Sequence, residues 1–348
     1  MTNGGTALHN RTDYAKRVQQ DGDYCVTMVR WVCQSAARPS FIDDLRASMR
    51  RARVVRAVRT RAMAPLFDWL MTTLSYQGIA DSVATGFMRR HGTVHWPDID
   101  QALRHRPTCP KLQTYWTFDD CGYRKARHIC AEPAHIGTCP LPRHDLRNGR
   151  LNQIAYSLFL FMRDVASNDL VGWIDQQLAA APLGSTTDPY HPTRWALTRP
   201  LMDIHGVSEK VASMALSMLL LGAGARRPLW ASIGVTFVVV DTLVHNFLHR
   251  TGVLARHNAV HPYGPGCYRP GGCADILRAI AREIDARAFN PSFPQTFPRF
   301  IQHTIWRYCA QTGLDICNGN RMNDAGRCSN VHCRLWGHCD RIRLQKVQ

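Results

Sequence analysis

Two residues able to do chemistry, Lys210 and Asp241, stand at the starts of apolar helices in the stretch 201–252. The first half reads L-M-D-I-H-G-V-S-E-K-V-A-S-M-A-L, a short turn leading into a helix with Lys210 in its first turn. The second half, V-V-V-D-T-L-V-H-N-F-L-H-R-T-G, puts Asp241 at the head of another. A Lys among apolar neighbours is a candidate nucleophile; on a solvent face it only covers apolar area with its stem. An Asp at such a junction is a good N-cap. A carboxylate at the mouth of a pocket also stabilises a cationic, sugar-like transition state. Gly206 supplies the backbone freedom the turn needs, and the N–H groups of the turn and helix start form an anion site.

The composition fits a polyanionic partner. Lys plus Arg number 43 against 26 Asp plus Glu, a net charge of +17. Such an excess favours nucleic acid, although an Arg-rich soluble protein has the same balance. Arginines at 46, 50, 51, 53, 56, 59 and 61 lie along one expected helix, Phe41–Arg61, with Val54, Val55 and Val58 as its apolar stripe. That helix is expected to bury one face and lay the other along phosphates. The apolar runs 154–162 and 212–223 are too short to cross a bilayer, and no secretory signal is visible at residues 1–10. The expected compartment is the cytoplasm, where the 13 cysteines are mostly thiols and clusters of them read as metal ligands.

The tail is the strongest such cluster. Cys309, Cys317, Cys328, Cys333 and Cys339 fall among Gly, Asn and Arg, a composition that builds no core. Four thiolates select zinc or iron–sulfur, and composition leaves the two open. A second set, Cys109, Cys121, Cys130 and Cys139, lies in a Pro- and His-rich region and is a possible zinc site, with His128, His135 and His144 as alternative ligands. Cys267 and Cys273 flank a Gly/Pro turn and read as structural.

No segment alternates with period two, so the chain is expected to be all-α. Helices are expected over 65–87, 151–164, 169–181, 210–221, 242–251, 274–286 and 297–311, with a loop at 222–234. A linker at 182–192 leads to one short turn at 192–198, and irregular structure is expected over 89–149. Three segments follow from composition: 1–149, helical with Cys and His; 150–262, the helical core; and 263–348, helices and the Cys-rich tail.

The stretch 201–252 resembles the helix-hairpin-helix DNA glycosylase superfamily, the group of endonuclease III, MutY and the alkylbase glycosylases. The family hairpin L-P-G-V-G-x-K-T-A is met by I-H-G-V-S-E-K-V-A, and the later V-D-T-H-V by V-D-T-L-V. The family's catalytic Lys falls on Lys210 and its catalytic Asp on Asp241. Departures are His205, Ser208, Val211 and Leu243. The resemblance implies a glycosylase fold with DNA backbone contacts at His205, Gly206, Val207 and Ser208. It also implies a residue filling the gap left by the flipped base, for which Arg163 and Asn168 are candidates. Endonuclease III and MutY carry a [4Fe–4S] cluster after the same domain. By that likeness Cys317, Cys328, Cys333 and Cys339 are expected to hold one, with Cys317 favoured over Cys309.

The function so implied is removal of a damaged or mismatched base from double-stranded DNA by a monomer. Strand cleavage at the abasic site would follow through a Lys Schiff base. The competing expectation is a helix-hairpin-helix DNA-binding protein without chemistry and with a structural metal site.

Overall fold

The computed structural model describes residues 5–74, 81–104, 109–118, 121, 130–140, 150–182, 184–186, 188–224, 226–317 and 325–344. Among these residues every regular element is helical and there is no strand, as the absence of period-two patterning predicts. None of the described helices is long and apolar enough to cross a membrane. The chain packs as two units. The central unit is Ile42–Gly234, and the flanking unit joins Met1–Phe41 to Val235–Gln348. The three segments read from the sequence divide the chain by composition; these two divide it by packing.

In the central unit the helix Arg150–Leu160 is apolar almost all round, from Ile154 to Leu160, and continues as a wide turn, Phe161–Val165. A helix without a polar face must be enclosed. The helix Met63–Leu74 packs on it, and so does Trp96–Arg104. The rings of Phe67, Trp96 and Phe159 interlock with centroids 4.2–6.5 Å apart. The helix Glu209–Ala223 is made of Ala, Leu, Met and Ser, strong helix formers and small residues, and is buried from Val211 onward apart from Met214 and Met218. It packs on His191–Met202 and on Met63–Leu74. Gly222 lets it approach the helix Phe41–Arg51, since a Cβ there would meet Met49 Cγ at 2.5 Å.

In the flanking unit the helix Pro298–Cys309 is the hub. It packs against Gly5–Ala36, Thr242–Arg250 and Cys273–Arg282. Phe293, Phe297 and Phe300 pack ring on ring at its start, with centroids 4.9–5.7 Å apart. The tail segment 325–344 docks by its backbone. Ile342 N–H donates to Arg250 O at 3.0 Å, and the Tyr24 hydroxyl sits 2.7 Å from Thr251 O and 2.8 Å from His338 O.

Several boundaries differ from expectation. The arginine helix is two helices, Phe41–Arg51 and Val54–Thr60, because Arg53 takes a left-handed φ of 61° and breaks the ladder. The short turn expected at 192–198 is a full helix, His191–Met202. It opens with Pro192, where the missing N–H costs nothing, and it tolerates Pro200 near its end. The loop expected at 222–234 contains the helix Pro228–Gly234, and the irregular region 89–149 contains Trp96–Arg104. Both are short, and each buries only two or three side chains, too few for a clear periodicity. Over 65–87, where a helix with room for a break near Gly78 is expected, Met63–Leu74 and Asp81–His91 flank residues 75–80, which lie outside the described set.

Candidate functional site

The hairpin turn is held from below. Ile204 and Val207 are buried, and two overlapping turns close with Ile204 N–H to Leu201 O at 3.2 Å and Val207 N–H to Ile204 O at 3.0 Å. His205 N–H donates to Ser157 Oγ at 3.0 Å, which pins the turn to the long apolar helix. Gly206 lies in the left-handed region at φ 72°, so the turn needs its glycine. Gly206 and Ser208 are exposed, and Lys210 is half-buried. Ser208 is the N-cap of Glu209–Ala223, but its side chain makes no capping hydrogen bond.

Asp241 follows the buried run Phe237–Val240 and takes extended backbone, φ −104° and ψ −177°. Its Oδ1 accepts from Val244 N–H at 2.9 Å, so the carboxylate caps Thr242–Arg250. It remains half-exposed. Its charge is felt by its surroundings. The Tyr263 phenol is pushed up to about 12, first by burial and then by Asp241. Burial brings the enclosed Arg299 guanidinium down to about 10, against the opposing pull of Tyr268 and Asp241. Val240 N–H donates to Tyr268 Oη at 2.9 Å, which fixes the strap just before the acid. Lys210 belongs to the central unit and Asp241 to the flanking unit.

Arg163 is engaged by its neighbours: Nε bonds Asp164 at 2.5 Å and Nη2 donates to Gln113 O at 2.6 Å. Asn168 is exposed, in a left-handed pair with Ser167 at φ 50° and 58°. The cap of the following helix is Asp169, whose Oδ1 accepts from Gly172 N–H at 2.9 Å.

Cys317, Cys328, Cys333 and Cys339 line one pocket, together with Arg250 and Arg341. Cys309 is fully buried and shares a hydrogen bond with Cys317. That bond, aided by Arg250, holds Cys317 below the ordinary thiol value against burial. Burial pushes Cys333 up and Cys339 up to about 12, and the other thiols add to it. Four half-buried thiols sharing one pocket with two guanidinium groups are a donor set suited to a metal, whose charge would offset the thiolates.

A second group was not legible as a site. His245, His261, Cys267 and Cys273 bring four ligand atoms within 4.8 Å of one another, and among the described residues no other His/Cys/Asp/Glu group of three or more does so. This corrects the structural reading of Cys267 and Cys273. Cys267 is held below the ordinary thiol value, first by its hydrogen bond with Cys273 and, against burial, by His245. Cys109, Cys121, Cys130 and Cys139 do not assemble in this way; Cys130 Sγ accepts from Glu132 N–H at 3.4 Å, and burial raises Cys109. His128 and His144 lie outside the described residues. The signal for it in the sequence is partial: His261, Cys267 and Cys273 lie close together among Pro and Gly, but nothing there points to His245.

Comparison with family models, curated proteins and solved structures finds no match to this chain.

Proposed function

We propose that the protein is a DNA glycosylase with an associated lyase step. The observation that carries this reading is the presentation of two reactive groups from helix starts. Lys210 emerges from the first turn after a left-handed Gly206, and Asp241 emerges as the cap that ends a buried strap. Arg50, Arg51, Arg56 and Arg59 on the two short helices, and Arg53 between them, are exposed, a surface suited to phosphates. The hairpin turn adds backbone N–H groups at a helix N-terminus.

In the reaction the target nucleotide leaves the stack. Departure of the base builds positive charge on the sugar, and the Asp241 carboxylate stabilises it. At an abasic site the covalent step would belong to the Lys210 amine, bonding to C1′. Its proton passes to O4′ as the ring opens, and the resulting Schiff base acidifies C2′, whose proton is lost as the 3′-phosphate leaves by elimination. Of the two candidates for filling the vacated gap, Asn168 is favoured, since Arg163 is bonded to Asp164 and Gln113.

The tail pocket would hold a [4Fe–4S] cluster on Cys317, Cys328, Cys333 and Cys339. In support, the four thiols share one pocket with Arg250 and Arg341, whose charges would offset an anionic cluster. Such a cluster would supply a compact charged anchor, and no step above passes through it.

The competing reading is a phosphate clamp without chemistry, favoured by the uncapping Ser208 and by Leu243 beside the acid. A panel of duplexes, each with one lesion or mismatch, is incubated with the protein and then treated with alkali. Cleavage of at least one lesion, lost in Asp241→Asn, supports the enzyme. Tight binding with every duplex intact leaves the clamp.

A further inference from the structure

We propose that His245, His261, Cys267 and Cys273 bind one zinc ion in a closed, four-coordinate site distinct from the tail thiols. The inference does not rest on the base-excision reading.

The distances fit a single ion. His245 Nδ1 lies 3.4 Å from Cys273 Sγ and 3.5 Å from Cys267 Sγ, and His261 Nε2 lies 3.5 Å from Cys273 Sγ. A tetrahedral zinc with ordinary Zn–S and Zn–N bonds sets sulfur and nitrogen about 3.6 Å apart. A disulfide would account for two thiols but not for two imidazoles aimed at the same point. A hydrophobic core would not gather four polar groups of which three are buried.

The surroundings are built for ligation. His261 Nδ1 lies 2.6 Å from Ala259 O, so that nitrogen carries the proton and Nε2 presents its lone pair to the thiols. His245 is buried on the helix Thr242–Arg250. Cys273 is the first residue of the helix Cys273–Arg282, which holds its sulfur against both imidazoles. Between the two cysteines the chain makes a tight knuckle. Cys267 N–H donates to Gly264 O at 3.0 Å and Gly272 N–H to Arg269 O at 2.8 Å, with Gly264 and Gly271 at φ 149° and 74°. Two nitrogens and two sulfurs in a closed shell leave no position for substrate, so the ion is structural.

Its effect follows from what it joins. The knuckle carries Tyr268, whose hydroxyl accepts the Val240 N–H, and the helix carries Asp241 as its cap. The ion therefore clamps the segment 261–273 to both sides of the acid.

The test is zinc content and zinc-edge X-ray absorption on the untagged full-length protein. We expect one zinc per chain with a shell of two sulfurs and two nitrogens. The double variant Cys267→Ala/Cys273→Ala should lose about nine-tenths of it, while Cys328→Ala/Cys333→Ala keeps it. Absence of stoichiometric zinc in the wild type, a four-sulfur shell, or full zinc in the first double variant overturns the site. Should that variant fail to fold, the wild-type absorption shell decides.

Discussion

The His245 N–H donates to the Asp241 carbonyl at 2.9 Å, so a candidate catalytic acid and a candidate metal ligand share the first turn of one helix. The Asp241 side chain closes the same turn from outside through Val244 N–H. Any shift of His245 is thus transmitted to the acid through a single hydrogen-bonded loop of backbone.

Because Asp241 is both cap and proposed charge stabiliser, one substitution separates the roles. Asn caps about as well as Asp, whereas Ala costs about 1 kcal/mol of stability. Asp241→Asn should therefore melt within a degree or two of wild type and bind duplex normally. Its single-turnover base removal should fall on the order of 100-fold or more. Excision at the wild-type rate would leave Asp241 as a cap only.

Lys210→Ala should abolish the adduct that borohydride traps between protein and lesion-bearing DNA. Lys210 is half-buried at a helix start, so the substitution should leave folding intact by circular dichroism. An undiminished adduct would assign the covalent step to another amine.

The tail pocket predicts a coloured protein. Cys333→Ala or Cys339→Ala should remove absorbance near the blue edge of the visible together with the iron, and the zinc content should stay unchanged. Iron-free wild type carrying zinc on four sulfurs would refute the cluster.

Arg56 and Arg59 are exposed on the helix Val54–Thr60, whose other face is buried through Val54, Ala57 and Val58. If both meet phosphates, Arg56→Ala/Arg59→Ala lowers the slope of log K against log salt by about 0.9 for each residue. An unchanged slope would move the DNA footprint off this face.

Cys33 offers a pH prediction independent of metal. Burial pushes its thiol up to about 12, only partly opposed by Arg30. A raised folded-state value means that the stabilisation is complete below the ordinary thiol range and is lost as pH climbs through about 9 to 12. Melting temperature should fall across that window, and Cys33→Ala should flatten the fall. Equal falls in both proteins would assign the loss to other groups.

The helices bearing Lys210 and Asp241 are legible in the sequence because each joins a polar start to a long apolar stripe, and a cap is a local signal. The gathering of the tail cysteines into one pocket is legible for a similar reason: sulfur among Gly, Asn and Arg has no core to join. The His/Cys group is not legible in this way. Its ligands come from a helix interior, a loop and both ends of a knuckle, and only the packing of Cys273–Arg282 in the flanking unit brings them together. His245 reads as one more residue on an amphipathic helix. The break at Arg53 is also invisible to periodicity, since a left-handed arginine carries no compositional mark.

The flanking unit is discontinuous in the chain, and that sets an order of events during synthesis. The helix Gly5–Ala36 packs on Pro298–Cys309, and 261 residues lie between the end of one and the start of the other. At about 5–20 residues per second the first helix waits roughly 13–50 s for its partner, while the central unit, contiguous in sequence, has everything it needs to fold. In the interval Met28, Val29, Val32 and Cys33, all buried in the finished fold, have no native cover. A nascent chain stalled before residue 298 would present that helix to chaperones, and the proposed tail site, whose last ligand is Cys339, would be complete only near the end of synthesis.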